Sequence, residues 1–262
     1  MKMGKKQRLK VEHPKCCFCG GIQPTTTTDH VPPKACFPDG YFPEGFEFPA
    51  CEKCNHGTKK HDQIFGFYSQ CLDFNETNHG VANQEKVKKL GQAIAPNYPD
   101  ALPNPFGSRP IRNVGSIVTP TPIAYEVEIP SAFKTAADVI GRKLTHALYF
   151  RERGKPMTQS HNFVNDFYQI QKAKTVSITT YFNELLPDQT TGFRSNIKDY
   201  GDRFIYKSGV KEKEDFFMYA AQFGRGLILW GMVLGPEMMK DVAEPGIKGI
   251  PWRKGGCGAG NV

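Results

Sequence analysis

The chain has 262 residues, 39% of them hydrophobic and 23% charged, with a net charge of +8 at pH 7. No apolar run approaches the ~18 residues that would span a bilayer, and no apolar segment follows the basic N-terminal residues, so neither a membrane span nor a secretory signal is expected and the cytoplasm is the expected location. The basic balance suits a polyanionic partner, DNA or RNA, because each phosphate neutralised releases counterions.

Residues 1–15 read as a flexible basic arm carrying Lys2, Lys5, Lys6, Arg8 and Lys10. Residues 16–75 read as a metal-held module. Six of the eight cysteines fall here, Cys16, Cys17, Cys19, Cys36, Cys51 and Cys54 within residues 16–54, and their clustering in Cys-x-x-Cys pairs argues for metal rather than disulfides. Cys16 with Cys19, and Cys51 with Cys54, have the spacing of two zinc knuckles, with Gly20 free to take the positive φ of the first turn. Four thiolates make a closed tetrahedral site, which is structural because it keeps no open coordination position. Cys17 has the wrong spacing to join it, and Cys71 and Cys257 read as free thiols.

Between the knuckles, the threonine run 25–28 leads into a strand ending at Asp29-His30-Val31, stopped by Pro32-Pro33, which cannot donate to a ladder. Phe46-Glu47-Phe48 reads as the return strand. A helix is expected from about Asn55, a favoured N-cap, with Ile64, Phe65, Tyr68 and Leu72 on one stripe. Residues 76–110 read as a helix and a proline-rich linker. Residues 111–250 read as a larger domain. Strands are expected at 111–118, 123–129, 175–182, 203–207 and 226–234, and residues 215–223 fit either a strand or a short helix. Residues 131–153 form the clearest helix, with Phe133, Ala137, Ile140, Leu144, Ala147 and Leu148 on one stripe, Ser131 as cap and Gly154 as terminator. His146 falls off that stripe and reads as a helix-surface residue; it, His79 and His161 are isolated in sequence and carry no functional assignment. Residues 251–262 read as a disordered glycine-rich tail. The fold class is α+β: a small N-terminal zinc-bound ββα module, then an α+β domain with an antiparallel sheet and one long helix.

The residues between and after the knuckles carry chemistry. Hydrolysis of a phosphodiester needs a nucleophilic water, a base and a cation on the phosphate. His30 is the candidate base, since its ordinary pKa lies near neutrality. Asp29 and the carbonyl of Asn55 offer hard oxygens to Mg²⁺ or another divalent metal. Adjacent strand residues point to opposite faces, so Asp29 and His30 flank one site only if the strand is distorted or if metal and water sit on different sides of the phosphate. Lys34, Lys53, Lys59 and Lys60 surround these residues in sequence and are candidates for binding flanking phosphates.

Cys-x-x-Cys, then Asp29-His30-Val31-Pro32-Pro33, then Cys51-x-x-Cys54-Asn55 resembles the zinc-containing branch of the HNH (ββα-metal) endonucleases, and in element order the phage endonuclease VII group. The resemblance covers residues 13–65. It is also similar to uncharacterised bacterial HNH proteins with a larger C-terminal domain. It implies that Asp29 and Asn55 bind the catalytic divalent metal, that His30 activates water, and that products carry a 5′-phosphate and a 3′-hydroxyl. Two positions depart from the pattern. Phe46 stands where many members place an asparagine on the second strand, and Thr58 stands where a carboxylate follows the asparagine by three residues. The metal then has fewer protein ligands or recruits His56, His61 or Asp62. A metal-dependent endonuclease acting on DNA is the expected function, with a homodimer favoured if both strands are cut. The alternatives are a non-catalytic zinc-stabilised nucleic-acid-binding module, and a chain whose C-terminal part is a scaffold in a larger bacterial defence or mobile-element assembly.

Overall fold

The structure, a computed structural model, describes residues 4–37, 42–72, 81–102, 109–111, 124–126, 129–169, 194–199, 203–211, 213–224, 226–240, 246–247 and 250–255. The strand expected at 175–182, residues 112–118 of the one expected at 111–118, residues 123, 127 and 128 of the one expected at 123–129, and both Cys257 and His79 lie outside these residues.

The basic N-terminal segment is a helix and not a flexible arm: α1 runs Lys5–Glu12 with no buried residue. Lys, Gln, Arg, Leu and Glu are strong helix formers, and Arg8 pairs with Glu12 one turn on at 3.8 Å. The helix is also tied down, since Lys5 Nζ lies 3.6 Å from Glu47 and Lys10 donates to the Thr26 carbonyl.

Strands β1 (Thr27–His30) and β2 (Glu47–Ala50) form a two-stranded antiparallel sheet that sets Asp29 opposite Phe48 and His30 opposite Glu47. Two helices follow, α2 (Glu52–His56) and α3 (Lys59–Cys71). Asn55 is therefore inside α2 and not the N-cap of a helix. The cap is Cys51, whose extended backbone (φ −86°, ψ 160°) opens the helix at the second knuckle itself. Helix α3 buries Ile64, Phe65, Phe67 and Tyr68, as the apolar spacing predicts. It also packs against a 3-10 turn at Lys34–Cys36. Gly66 makes that approach possible: a Cβ there would lie 2.4 Å from Ala35 Cβ and 2.7 Å from its backbone carbonyl.

Helix α4 (Val81–Ile94) packs on α3, and β3 (Arg109–Ile111) pairs antiparallel with β4 (Ala124–Glu126). Helix α5 runs Ser131–Arg153, the bounds expected from its stripe. Its N-cap is Pro130, without a side-chain hydrogen bond, so Ser131 does not cap it; Gly154 closes it in the left-handed region at φ 68°. The expected stripe is buried, but so are Ala136, Lys143, His146, Tyr149 and Phe150 on other faces. The reason is that α5 is covered twice, by α3 on one side and by strands of the main sheet on the other. His146 is consequently 2% exposed rather than a surface residue, and its Nδ1 donates to the Cys17 carbonyl at 3.3 Å.

The main sheet has β5 (Asn162–Gln169), β6 (Arg194–Asp199), β7 (Phe204–Lys211), β8 (Phe216–Phe223), β9 (Leu227–Leu234) and β12 (Arg253–Lys254) in the order β12-β5-β9-β8-β7-β6, every pair antiparallel. Of residues 215–223, Phe216–Phe223 form strand β8, paired with β7 along its length and with β9 from Phe217 on, and Asp215 stands in the turn before it. A small hairpin joins β10 (Gly246–Ile247) to β11 (Ile250–Pro251). The segment after residue 250 is therefore not all tail: Arg253–Lys254 completes the sheet edge, and Arg253 binds Asp138 and Asn165. His161 is not isolated, since its Nε2 meets Asp215 Oδ2 at 2.9 Å and the Tyr149 hydroxyl at 3.0 Å. One continuous apolar cluster runs from Cys16 and Cys54 through Phe65 and α5 to Phe217 and Leu229. The cysteine module and the main sheet thus share a core, with α5 between them.

Candidate functional site

Cys16, Cys19, Cys51 and Cys54 bring their four sulfurs within 4.8 Å of one another, all buried, a cluster that can hold a metal such as zinc. The first knuckle turns through Gly20 (φ 66°) and Gly21 (φ 78°), and the backbone N–H of Gln23 donates to Cys19 Sγ at 3.3 Å. The neighbouring thiols of Cys16 and Cys54 pull the Cys19 thiol well below its ordinary range. Cys17 stays out of the cluster: it is fully buried and burial pushes its thiol up.

The hairpin extends from this cluster. Asn55, next to Cys54, donates its Nδ2 to the Thr28 carbonyl at 3.1 Å and to Thr27 Oγ1 at 3.2 Å. It thereby locks α2 to β1, and only its carbonyl oxygen remains as a group to offer. At the end of β1 the cross-strand register puts Glu47 beside His30, with Nε2 donating to Glu47 Oε1 at 3.1 Å. This fixes the ring and leaves Nδ1 as its basic nitrogen. Burial and the nearby Lys34 charge hold His30 below its ordinary value, against an opposing pull from Glu47. The imidazole is thus neutral at neutral pH, the state a general base requires.

Asp29, the preceding residue, is 5% exposed. It meets a group that nothing in the local sequence announces. Lys143, from the middle of α5 and 1% exposed, places its ammonium 2.9 Å from Asp29 Oδ2, 3.2 Å from Asp62 Oδ1 and 2.7 Å from Thr58 Oγ1. Burial alone would lower the lysine, yet Asp29 and Asp62 overturn it and hold the ammonium above its ordinary value. Burial pushes the Asp62 carboxyl up to about 6 although Lys143 pulls the other way. The cluster therefore keeps the lysine charged while charge on Asp62 remains costly.

Asp29, His30, Lys34, Lys59 and Asp62 line one cleft of about 280 Å³ between β1, the 3-10 turn and α3. Asp29 and His30, adjacent on a strand, share it because β1 ends at His30. Asp29 faces inward to Lys143 and His30 outward to Glu47. Of the four candidate phosphate-binding lysines, Lys34 and Lys59 reach the cleft, whereas Lys53 and Lys60 do not line it and Lys60 lies 3.8 Å from Asp100. Asn55 does not line the cleft either, and Asp62 does. Among the described residues no helix is long and apolar enough to cross a membrane.

The chain matches no family model, no characterised protein and no solved structure. Side-chain chemistry is thus the ground for a functional reading. A neutral imidazole oriented by a carboxylate, two carboxylates and two rim lysines around one opening can activate water beside a bound anion. Glu47 could have been found from the hairpin register, since Phe46 and Phe48 bury and put Glu47 on His30's side. Lys143 had no sequence signal, since it stands beside Arg142 on a helix that also carries Thr145 and His146.

Proposed function

We propose that the chain is a metal-dependent endonuclease of the HNH type, hydrolysing DNA phosphodiester bonds, with a structural zinc on Cys16, Cys19, Cys51 and Cys54. The observation that carries this reading is the shared cleft of Asp29, His30 and Asp62 at the end of a hairpin locked to the four-cysteine cluster. His30 Nδ1 takes the proton of the attacking water, and Glu47 holds the ring and balances the imidazolium that forms. Asp29 and Asp62, which both line the cleft, would offer hard oxygens to Mg²⁺ or another divalent ion. Such an ion would polarise the phosphate and stabilise the leaving oxygen. Breakage of the bond between phosphorus and the 3′ oxygen leaves a 5′-phosphate and a 3′-hydroxyl, as the family resemblance implies. Lys34 and Lys59 on the rim supply charge for flanking phosphates.

One observation favours a second reading, a non-catalytic nucleic-acid-binding module: Lys143 already balances part of the charge on Asp29 and Asp62. Plasmid cleavage by wild type beside His30→Ala, in EDTA, Mg²⁺, Mn²⁺ or Ni²⁺, separates the two. The endonuclease reading expects cleavage that needs added metal and vanishes in the variant while both proteins keep their zinc. DNA binding without cleavage in every metal overturns it in favour of the binding module.

A further inference from the structure

The cation already present between Asp29 and Asp62 is a side chain. Three features set Lys143 apart from an ordinary buried ion pair. Its ammonium donates to Thr58 Oγ1 at 2.7 Å and to Asp62 Oδ1 at 3.2 Å, and lies 2.9 Å from Asp29 Oδ2 as an ion pair, so it bridges both carboxylates. Both residues it bridges also line the cleft. One ammonium is shared between two carboxylates, and the further cations of the cleft, Lys34 and Lys59, stand at its rim.

We propose that Lys143 is the resident cation of the cleft, a positioning residue that holds Asp29 and Asp62 side by side and sets how tightly they take a divalent metal. A divalent ion on these carboxylates shares them with the ammonium and is repelled by it at short range, where the interior screens poorly. Wild-type protein therefore binds metal weakly there in the absence of an anionic ligand. A bound phosphodiester supplies the missing negative charge, so metal and nucleic acid bind cooperatively. Lys143 belongs to α5, whose other side packs on the main sheet, so the position of that helix adjusts metal affinity at the hairpin. The inference rests on the reading of the cleft as a cation-assisted phosphate site, but its test reads metal binding and not cleavage.

The experiment titrates Mn²⁺ into zinc-loaded full-length protein and reads the free-ion signal by electron paramagnetic resonance. Wild type, Lys143→Met and the double variant Lys143→Met/Asp62→Asn are compared without nucleic acid. Lys143→Met leaves two uncompensated carboxylates and is expected to bind Mn²⁺ at least about tenfold more tightly than wild type. The double variant is expected to lose that gain. Equal or weaker Mn²⁺ binding by folded Lys143→Met overturns the proposal, because it would mean that the ammonium does not compete with the ion for these carboxylates. Should Lys143→Met fail to fold, wild type beside Asp29→Asn decides. Tight Mn²⁺ binding by wild type that Asp29→Asn abolishes refutes a resident cation, and weak binding enhanced by added oligonucleotide supports it. A tight-binding Lys143→Met with wild type inactive on every DNA sinks the endonuclease and leaves the resident cation standing.

Discussion

Replacing Lys143 by Met keeps the length of the side chain and removes its charge, and the structure fixes what this should cost. The ammonium is 1% exposed and is the only ion-pair partner of Asp29 among the described residues, so its loss leaves Asp29 a buried, uncompensated carboxylate. Breaking a buried pair from one side costs about 3–5 kcal/mol. Asp62 softens the loss, since its side chain is 21% exposed and its carboxyl already sits at about 6. The expected loss at neutral pH is therefore at the lower end, about 3 kcal/mol. The pH dependence has a definite sign. Without the ammonium the Asp62 carboxyl loses its opposing pull and burial holds it further above its unfolded value, so the folded state binds the extra proton. The deficit is then small below the ordinary carboxylate value of 3.8 and grows as pH rises through the elevated folded value. Urea unfolding of zinc-saturated wild type and variant at about pH 5 and about pH 8 measures both the size and the slope. A loss under about 1 kcal/mol at the higher pH, the range of an exposed pair, would refute the account. So would a loss that increases toward acid.

Cys54→Ser should lower the bound zinc from one ion per chain to none by elemental analysis, and should cost several kcal/mol of stability, because metal binding free energy is folding free energy. Retention of a full zinc equivalent would remove Cys54 from the ligand set. The acid limb of cleavage should lie below 6.5, the ordinary histidine value, because burial and Lys34 hold His30 down and a base works only above its own pKa. Glu47→Gln removes a group that raises His30, so a pH–rate profile should show the limb moving to still lower pH; a limb that stays put or rises counts against the His30–Glu47 pair. Gly66→Ala should lower thermal stability by about 2 kcal/mol despite the ~1 kcal/mol that alanine gains in a helix, because the new Cβ meets the Ala35 backbone, which cannot swing aside. A neutral or stabilising result in a thermal melt would show that the 3-10 turn lies further from α3.

The legible parts of the site were the local ones. Cys16, Cys19, Cys51 and Cys54 announce a metal cluster by spacing alone, and Asp29-His30 followed by two prolines marks the end of a strand. Asn55 was legible as a polar residue beside a ligand, but its position inside α2 was not. A cysteine at the N-cap is an uncommon start signal, and it moved the helix four residues earlier than an asparagine cap would. Glu47 needed the register between β1 and β2, and the departure at Thr58 made sense only once Lys143 was seen bonded to its hydroxyl.

Sequence by itself determined the four clustered cysteines, the α+β class, the bounds of α5 and the strands flanking residue 220, because each rests on spacing within one or two turns or pleats. Tertiary structure decided that α5 is covered on both sides, that His146 is buried and that Lys143 lies between Asp29 and Asp62. A lysine or histidine on a helix has the same local pattern whether it faces water or a core. Which of the two it meets depends on partners far away in the chain that repay its desolvation, and in this protein those partners sit on the cysteine-held hairpin and the helix behind it.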